Sequence, residues 1–151
     1  MVVGGVLYLQ DISNRRFTGT ARLNLTIFRH LCGDAALNRV ILGTTNWGVN
    51  TSDLDQQHEE EMRSEHWSTL LQQGAEVRRF LGSSASAWDI LNVFLQRADN
   101  TRRLAQNLDP LQIQEEVAIN GTPVPETRAG TFLHAVREKI AKRAQTACVI
   151  Q

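Results

Sequence analysis

Thr44, Thr45 and Asn46 follow the apolar run Val40-Ile41-Leu42-Gly43, and Trp47 and Gly48 close the segment. Two hydroxyls and a carboxamide at the end of such a run can exchange hydrogen bonds with a ligand, and none of them is set beside a base that would make it a nucleophile. The chemistry on offer is recognition. The run itself reads as a strand buried on both faces, the pattern of a parallel sheet, and open parallel sheets bind ligands at the carboxyl ends of their strands. Trp47 has two readings, a ring facing a ligand or a ring packed on the domain, and packing is the commoner use of a tryptophan.

The remaining reactive residues offer less. His30 and Cys32 are two apart on a helical stretch and share no face, and His58 and His66 lack the His-Glu-x-x-His spacing. Glu59, Glu60 and Glu61 read as a solvated first helical turn that suits the helix dipole. No metal ligands and no catalytic residues are expected, and no Gly-x-Ser-x-Gly elbow is present. Cys148-Val149-Ile150-Gln151 has the Cys-a-a-X form of a prenylation signal, with the final Gln suggesting a farnesyl group and Arg137, Lys139, Lys142 and Arg143 upstream. It reads either as a lipid anchor aided by basic residues or as a helix running out in apolar ones.

These groups sit in a chain of 151 residues with a formal net charge of zero, enough for one domain with a real core. Balanced charge and the lack of a basic stripe interleaved with aromatics argue against a nucleic-acid partner. The apolar opening, Val2 to Leu9, has no basic n-region, and Asp11 interrupts it, so it reads as a strand. No apolar run approaches the roughly 20 residues of a spanning helix. Two cysteines, Cys32 and Cys148, give no disulfide framework. The compartment implied is the cytosol, with peripheral membrane attachment if Cys148 is lipidated.

The elements that must position the Thr44 loop follow from periodicity. Val2 to Gln10 predicts a first, interior strand. Leu23, Ile27, Phe28 and Leu31 predict a crossover helix ended by Gly33, and Asp34 caps a short turn before the strand Val40 to Thr45. A single helix is expected from Thr51–Asp53 to Gln73, with Met62, His66, Trp67, Leu70 and Leu71 as its buried stripe and Gly74 after its end. Glu76 to Leu81 predicts a third strand. Ser86-Ala87-Trp88-Asp89 then reads as a capping box opening a helix whose apolar face carries Trp88, Ile90, Leu91, Phe94 and Leu95. Trp67 and Trp88 are both expected in the core. Strand and helix alternate three times, which predicts an α/β fold, a three-stranded parallel sheet with right-handed crossover helices. Beyond Arg97 comes a polar stretch, then a helix after Asp109-Pro110, a break at Gly121 to Pro125, and a last amphipathic helix from Thr127 to Ala147 on a stripe of Leu133, Val136 and Ile140. The organisation expected is a domain over residues 1–97 and a helical tail over 98–151.

Val40-Ile41-Leu42-x-Thr44-Thr45-x-Trp47 resembles the guanine-recognition segment of fungal G-domain proteins, a P-loop GTPase group related to the immunity-associated and septin-like GTPases. The resemblance extends over Gly5 to Leu9, Ile12 to Gly19, Phe28 to Gly33, Trp67 with Leu70, Leu71 and Gly74, Ser86-Ala87-Trp88, Leu111 to Glu116 and Pro125 to Gly130. It implies a GTP-binding protein whose base-reading loop is Thr44, Thr45, Asn46 and Gly48. Asn46 and Gly48 stand where the family has Lys and Asp, so the acceptor for the guanine ring is missing. The phosphate loop, Gly-x-x-x-x-Gly-Lys-Ser/Thr, occurs nowhere in the chain. By resemblance it would lie before residue 1, together with the Asp that holds magnesium, which makes this the latter half of a G domain. GTP, with its magnesium, would then need a phosphate loop from outside, and hydrolysis by the chain alone is not expected. The alternative is an interaction or membrane-tethered module derived from such a domain, open to a homo-oligomer or a partner half through the edge of its first strand.

Overall fold

A computed structural model of the chain describes residues 2–14, 16–48, 53–103 and 108–148. Three parallel strands, β1 (Val6–Asp11), β2 (Val40–Thr45) and β3 (Glu76–Arg79), lie in the order β1-β2-β3. The register sets Leu7 beside Ile41, Leu9 beside Gly43 and Leu42 beside Val77. The α/β class and the parallel sheet are as the alternation of elements predicts. β2 is central and buried from Val40 to Thr44.

Side chains alternate across a strand, so the sheet has two distinct faces. One carries Val6, Tyr8, Val40, Leu42 and Val77, and it packs on Leu25 and Cys32 of α1 (Gly19–Cys32) and on Met62, Trp67 and Leu70. Thr18 caps α1, accepting the Ala21 N–H, and Gly33 ends it at φ 73°, a backbone state open to glycine at little cost. A 3₁₀ turn, Asp34–Arg39, leads into β2.

The helix expected to run unbroken to Gln73 is three pieces: α2 (Asp53–Glu61), a π turn (Met62–His66) and α3 (Ser68–Gln72). The Trp67 N–H reaches back five residues to the Met62 carbonyl at 2.8 Å. A regular helix would bury residue 65 or 66 after Met62. The extra residue of the π turn instead carries Trp67 into the core and leaves His66 half-exposed, correcting its place on the buried stripe. One other expectation fails in this segment: Glu59 is not solvated but 3% exposed, while Glu60 and Glu61 are exposed as expected. His58 beside it is buried, donating from Nδ1 to the Ile12 carbonyl at 3.0 Å.

The second face of the sheet belongs to α4 (Ser84–Arg103), where Phe94 lies against Gly5 and Arg97 pairs with Glu76. Ser83, three residues earlier than expected, caps this helix: its hydroxyl accepts the Ser86 N–H, and the Ser86 hydroxyl accepts the Ser83 N–H in return. Only Ile90 of the predicted apolar face is fully buried. Trp88, expected in the core, is 57% exposed, and Leu91 and Leu95 are exposed with it. On the same side of the sheet Leu7 and Leu9 are exposed as well, lying over Gly43, where a Cβ would collide with the Leu9 side chain. β1, expected to be interior, is therefore a half-bare edge strand, because one helix cannot cover this face of three strands.

The C-terminal segment docks on the domain. Arg39 donates to the carbonyls of Val3 and Asp109, and Gln114 Oε1 accepts from the N–H groups of Val3 and Leu111. A short α5 (Gln112–Gln114) runs into a second π turn, Glu115–Ile119, and α6 (Arg128–Cys148) packs on α1. Thr127 caps α6 by accepting the Gly130 N–H. The predicted stripe is displaced: Ala129, Phe132 and Val136 face the domain, while Leu133 and Ile140 are exposed. Among the described residues no helix is long and apolar enough to cross a membrane.

Candidate functional site

The carboxyl ends of the strands gather the loop residues singled out from sequence, and each has a definite environment. Thr44 is fully buried. Its hydroxyl lies 3.2 Å from Glu59 Oε1, and it accepts from Trp47 Nε1 at 3.1 Å. Trp47 Nε1 also reaches the Thr44 carbonyl at 3.2 Å, so the indole folds back over the strand end. The Arg79 guanidinium, from the end of β3, stacks on it 4.3 Å from the ring centroid. Trp47 is thus a packed ring, held by the strand it follows.

Glu59 anchors this arrangement from α2. It accepts from Arg79 Nε at 2.9 Å and from Arg79 Nη2, and Arg63 approaches within 3.8 Å. The hydrogen bonds to Glu59 hold the Arg79 guanidinium above its ordinary pKa, against the opposing effect of partial burial. A carboxylate is buried here only because it is paired twice over. Sequence reading missed Glu59 because three consecutive glutamates look alike, and only the helix phase shows which one points inward.

Asn46 occupies the left-handed region at φ 60° and donates from Nδ2 to Asp11 Oδ2 at 2.8 Å. Asp11 also accepts from the Ser13 hydroxyl at 2.7 Å and the Ser13 N–H at 2.9 Å. The Ser13 hydroxyl, then the Asn46 amide and loop N–H groups, hold the Asp11 carboxyl below the usual range although burial works the other way. Thr45 contributes its carbonyl to the Ile12 N–H, and Gly48 is exposed at the end of the described loop. Between the Thr45–Trp47 turn and the Phe80–Gly82 turn lies a cleft of about 210 Å³, with Leu9 as its third wall. It is smaller than pockets that enclose drug-sized ligands. Thr45 and Asn46 border it, Gly48 and Thr44 do not.

Elsewhere, Glu61, Glu65 and His66 each bring one ligand atom within 4.8 Å of the others; Glu61 and Glu65 are four apart, and the π turn adds His66 five from Glu61. Cys32 is a buried thiol raised to about 11 by burial, an inert state. The Cys148 side chain and residues 149–151, which carry the prenylation signal, lie outside the described residues.

The fold and this loop define an α/β chain with a polar, internally tied turn at the carboxyl edge of a parallel sheet. No family model, no curated protein and no solved structure matches it.

Proposed function

We propose that the chain is an interaction module derived from the latter half of a P-loop GTPase domain, working by docking and not by hydrolysis. The observation that carries this reading is the state of β1: among the described residues a strand paired on one side only, flanked on one face by exposed Leu7, Leu9, Trp88, Leu91 and Leu95. Unpaired edges beside apolar patches are sites of strand addition. The occupant this surface fits brings both a strand, to extend the sheet beyond β1, and a helix, to cover the bare leucines beside α4. That is the half of a GTPase domain which the resemblance leaves unaccounted for, and the order β1-β2-β3 is compatible with it. The isolated chain then self-associates through this surface as protein concentration rises. Light scattering behind size exclusion reads this, and Leu9→Lys with Leu95→Lys lowers the apparent mass. A wild-type chain that stays monomeric and unfolds cooperatively at the same concentrations overturns the reading.

A second reading keeps the nucleotide. The cleft between Thr45–Trp47 and Phe80–Gly82 stands where the resemblance puts the guanine ring, so a phosphate loop supplied from outside would complete a composite GTP site with magnesium. Thr44 is committed to Glu59 and Trp47, which leaves Thr45 and Asn46 as the contacts, and Gly48 offers no acceptor. A titration with fluorescent guanine and adenine nucleotides separates the two readings. Micromolar binding of guanine alone favours the composite site, and no binding favours docking. A farnesyl group on Cys148 would add a membrane tether beside exposed Arg137, Lys139 and Lys142. An unchanged mass after expression in a prenylating cell rules it out.

A further inference from the structure

α1 presents three polar residues at helical spacing, Arg22, Thr26 and Arg29. They line a cleft of about 440 Å³ whose other walls are Phe17, Leu25, Glu65 and His66. The π turn makes this cleft. By sending Trp67 inward it turns His66 out over Phe17, the two rings stacking at 4.0 Å between centroids. π turns inside helices recur at functional sites because they re-aim one or two side chains without breaking the helix.

The cleft continues past Thr26 and Arg29 into a second of about 180 Å³, lined also by His30, Gly33, Asp34 and Arg128. One groove therefore runs along α1 under three guanidinium groups, with two imidazoles at its margins, the carboxylates of Glu65 and Asp34 in its walls and Glu61 beside Glu65 and His66. Among the described residues the guanidiniums of Arg22 and Arg29 form no ion pair or hydrogen bond, whereas Arg63, Arg78, Arg79 and Arg97 are all paired with carboxylates. The Arg128 guanidinium makes one long contact, 3.5 Å to Gln112 Oε1, while the Arg128 N–H donates to the Glu116 carboxylate. The groove thus holds guanidiniums that carboxylates of the chain leave unpaired, in a concave setting.

We infer that this groove is a binding site for a compact polyphosphorylated small molecule. Guanidinium forks suit phosphoryl oxygens, and Arg22 and Arg29, about 10 Å apart along the helix axis from seven residues of rise, suit a ligand with more than one phosphoryl group. The larger lobe falls in the size range of small-molecule pockets, and Phe17 and Leu25 give it an apolar floor. The site is separate from the Thr44 loop and from the β1 edge, so it stands or falls independently of the docking surface.

Calorimetry with inorganic pyrophosphate and tripolyphosphate tests it on the full chain. Saturable binding is expected, tighter for tripolyphosphate and weakened by added salt. Arg22→Gln and Arg29→Gln each weaken binding by about tenfold or more, the loss of one charge-assisted contact. Arg29→Lys recovers only part of it, because a point charge lacks the fork. Asn46→Ala, in the strand-end loop, leaves binding unchanged. These are exposed or half-exposed positions, and circular dichroism verifies that each variant is folded. Absence of saturable binding to either anion, or binding that Arg22→Gln and Arg29→Gln leave intact, overturns the proposal.

Discussion

Glu59 on α2 accepts two hydrogen bonds from Arg79 at the end of β3, and the two side chains differ in burial, 4% against 41% exposed. The asymmetry predicts asymmetric mutants. In Glu59→Ala, Arg79 can turn to water, yet the Thr44 hydroxyl keeps Trp47 Nε1 but loses its Glu59 acceptor, and a cavity opens beneath the sheet. The expected loss is about 2–4 kcal/mol, at or below the cost of breaking a fully buried pair. Arg79→Ala leaves a buried carboxylate with only Thr44 and a distant Arg63, so it is at least as damaging, although Arg79 is the more exposed residue. Urea unfolding of both variants and the double variant checks this. A double variant no worse than Arg79→Ala alone shows that the pair acts as a unit.

Asp11 gives the strand-end loop an acid dependence of definite sign. Its carboxyl is held below the ordinary range by Ser13 and Asn46, so the folded state binds its proton less readily than the unfolded chain. Its contribution to stability is complete above the unfolded value, about 3.9 for an aspartate, and is lost as pH falls through the lower folded value. Asp11→Asn should therefore be less stable than the parent near neutrality, with the difference shrinking below about pH 4. Urea midpoints across that range read the effect, and a constant difference would show that the Asp11 charge is not involved.

What the sequence made legible was the periodic part. The bounds of β2, the stop at Gly33 and the alternation that makes the sheet parallel all rest on local apolar patterns that tertiary contacts did not override. What it hid depended on phase. One extra residue in the Met62–His66 turn decides that Trp67 is buried and His66 is not, and a window average cannot see one residue. Trp88 departs for another reason: its helix has a wide apolar face, but α4 turns only Ile90 and part of Phe94 onto the sheet and leaves Trp88, Leu91 and Leu95 beside bare Leu7 and Leu9. In the site, Thr44, Asn46 and Trp47 were found by type. Their partners Glu59, Arg79 and Asp11 arrive from other elements and carry no local signal.

Gly130 marks the closest approach between α6 and the Val124–Glu126 turn. A Cβ there would overlap the Val124 carbonyl oxygen and lie 2.7 Å from that of Pro125. Both obstacles are backbone, which cannot swing aside as a long side chain can. Gly130→Ala gains helix propensity but is expected to lose about 1–3 kcal/mol to overpacking. The start of α6 should then detach first, with faster proteolysis near Pro125, while the Trp67 core keeps its protection from hydrogen exchange.

Phe132 tests which stripe of α6 meets the domain. Its ring lies 5.0 Å from that of His30 on α1, while the neighbouring Leu133 and the later Ile140 are exposed. Sequence pattern alone favours Leu133, Val136 and Ile140, because those side chains are aliphatic and correctly spaced. The structure turns the helix by about one residue, so that Ala129, Phe132 and Val136 share the inward face. Phe132→Ala should cost about 2 kcal/mol, roughly half of a full phenylalanine truncation because the ring is half-buried. Leu133→Ala and Ile140→Ala should stay within about 0.5 kcal/mol. Exchange protection of α6 amides should fall only in Phe132→Ala, and the opposite ranking would return the contact to the Leu133 stripe, with α6 rotated on α1.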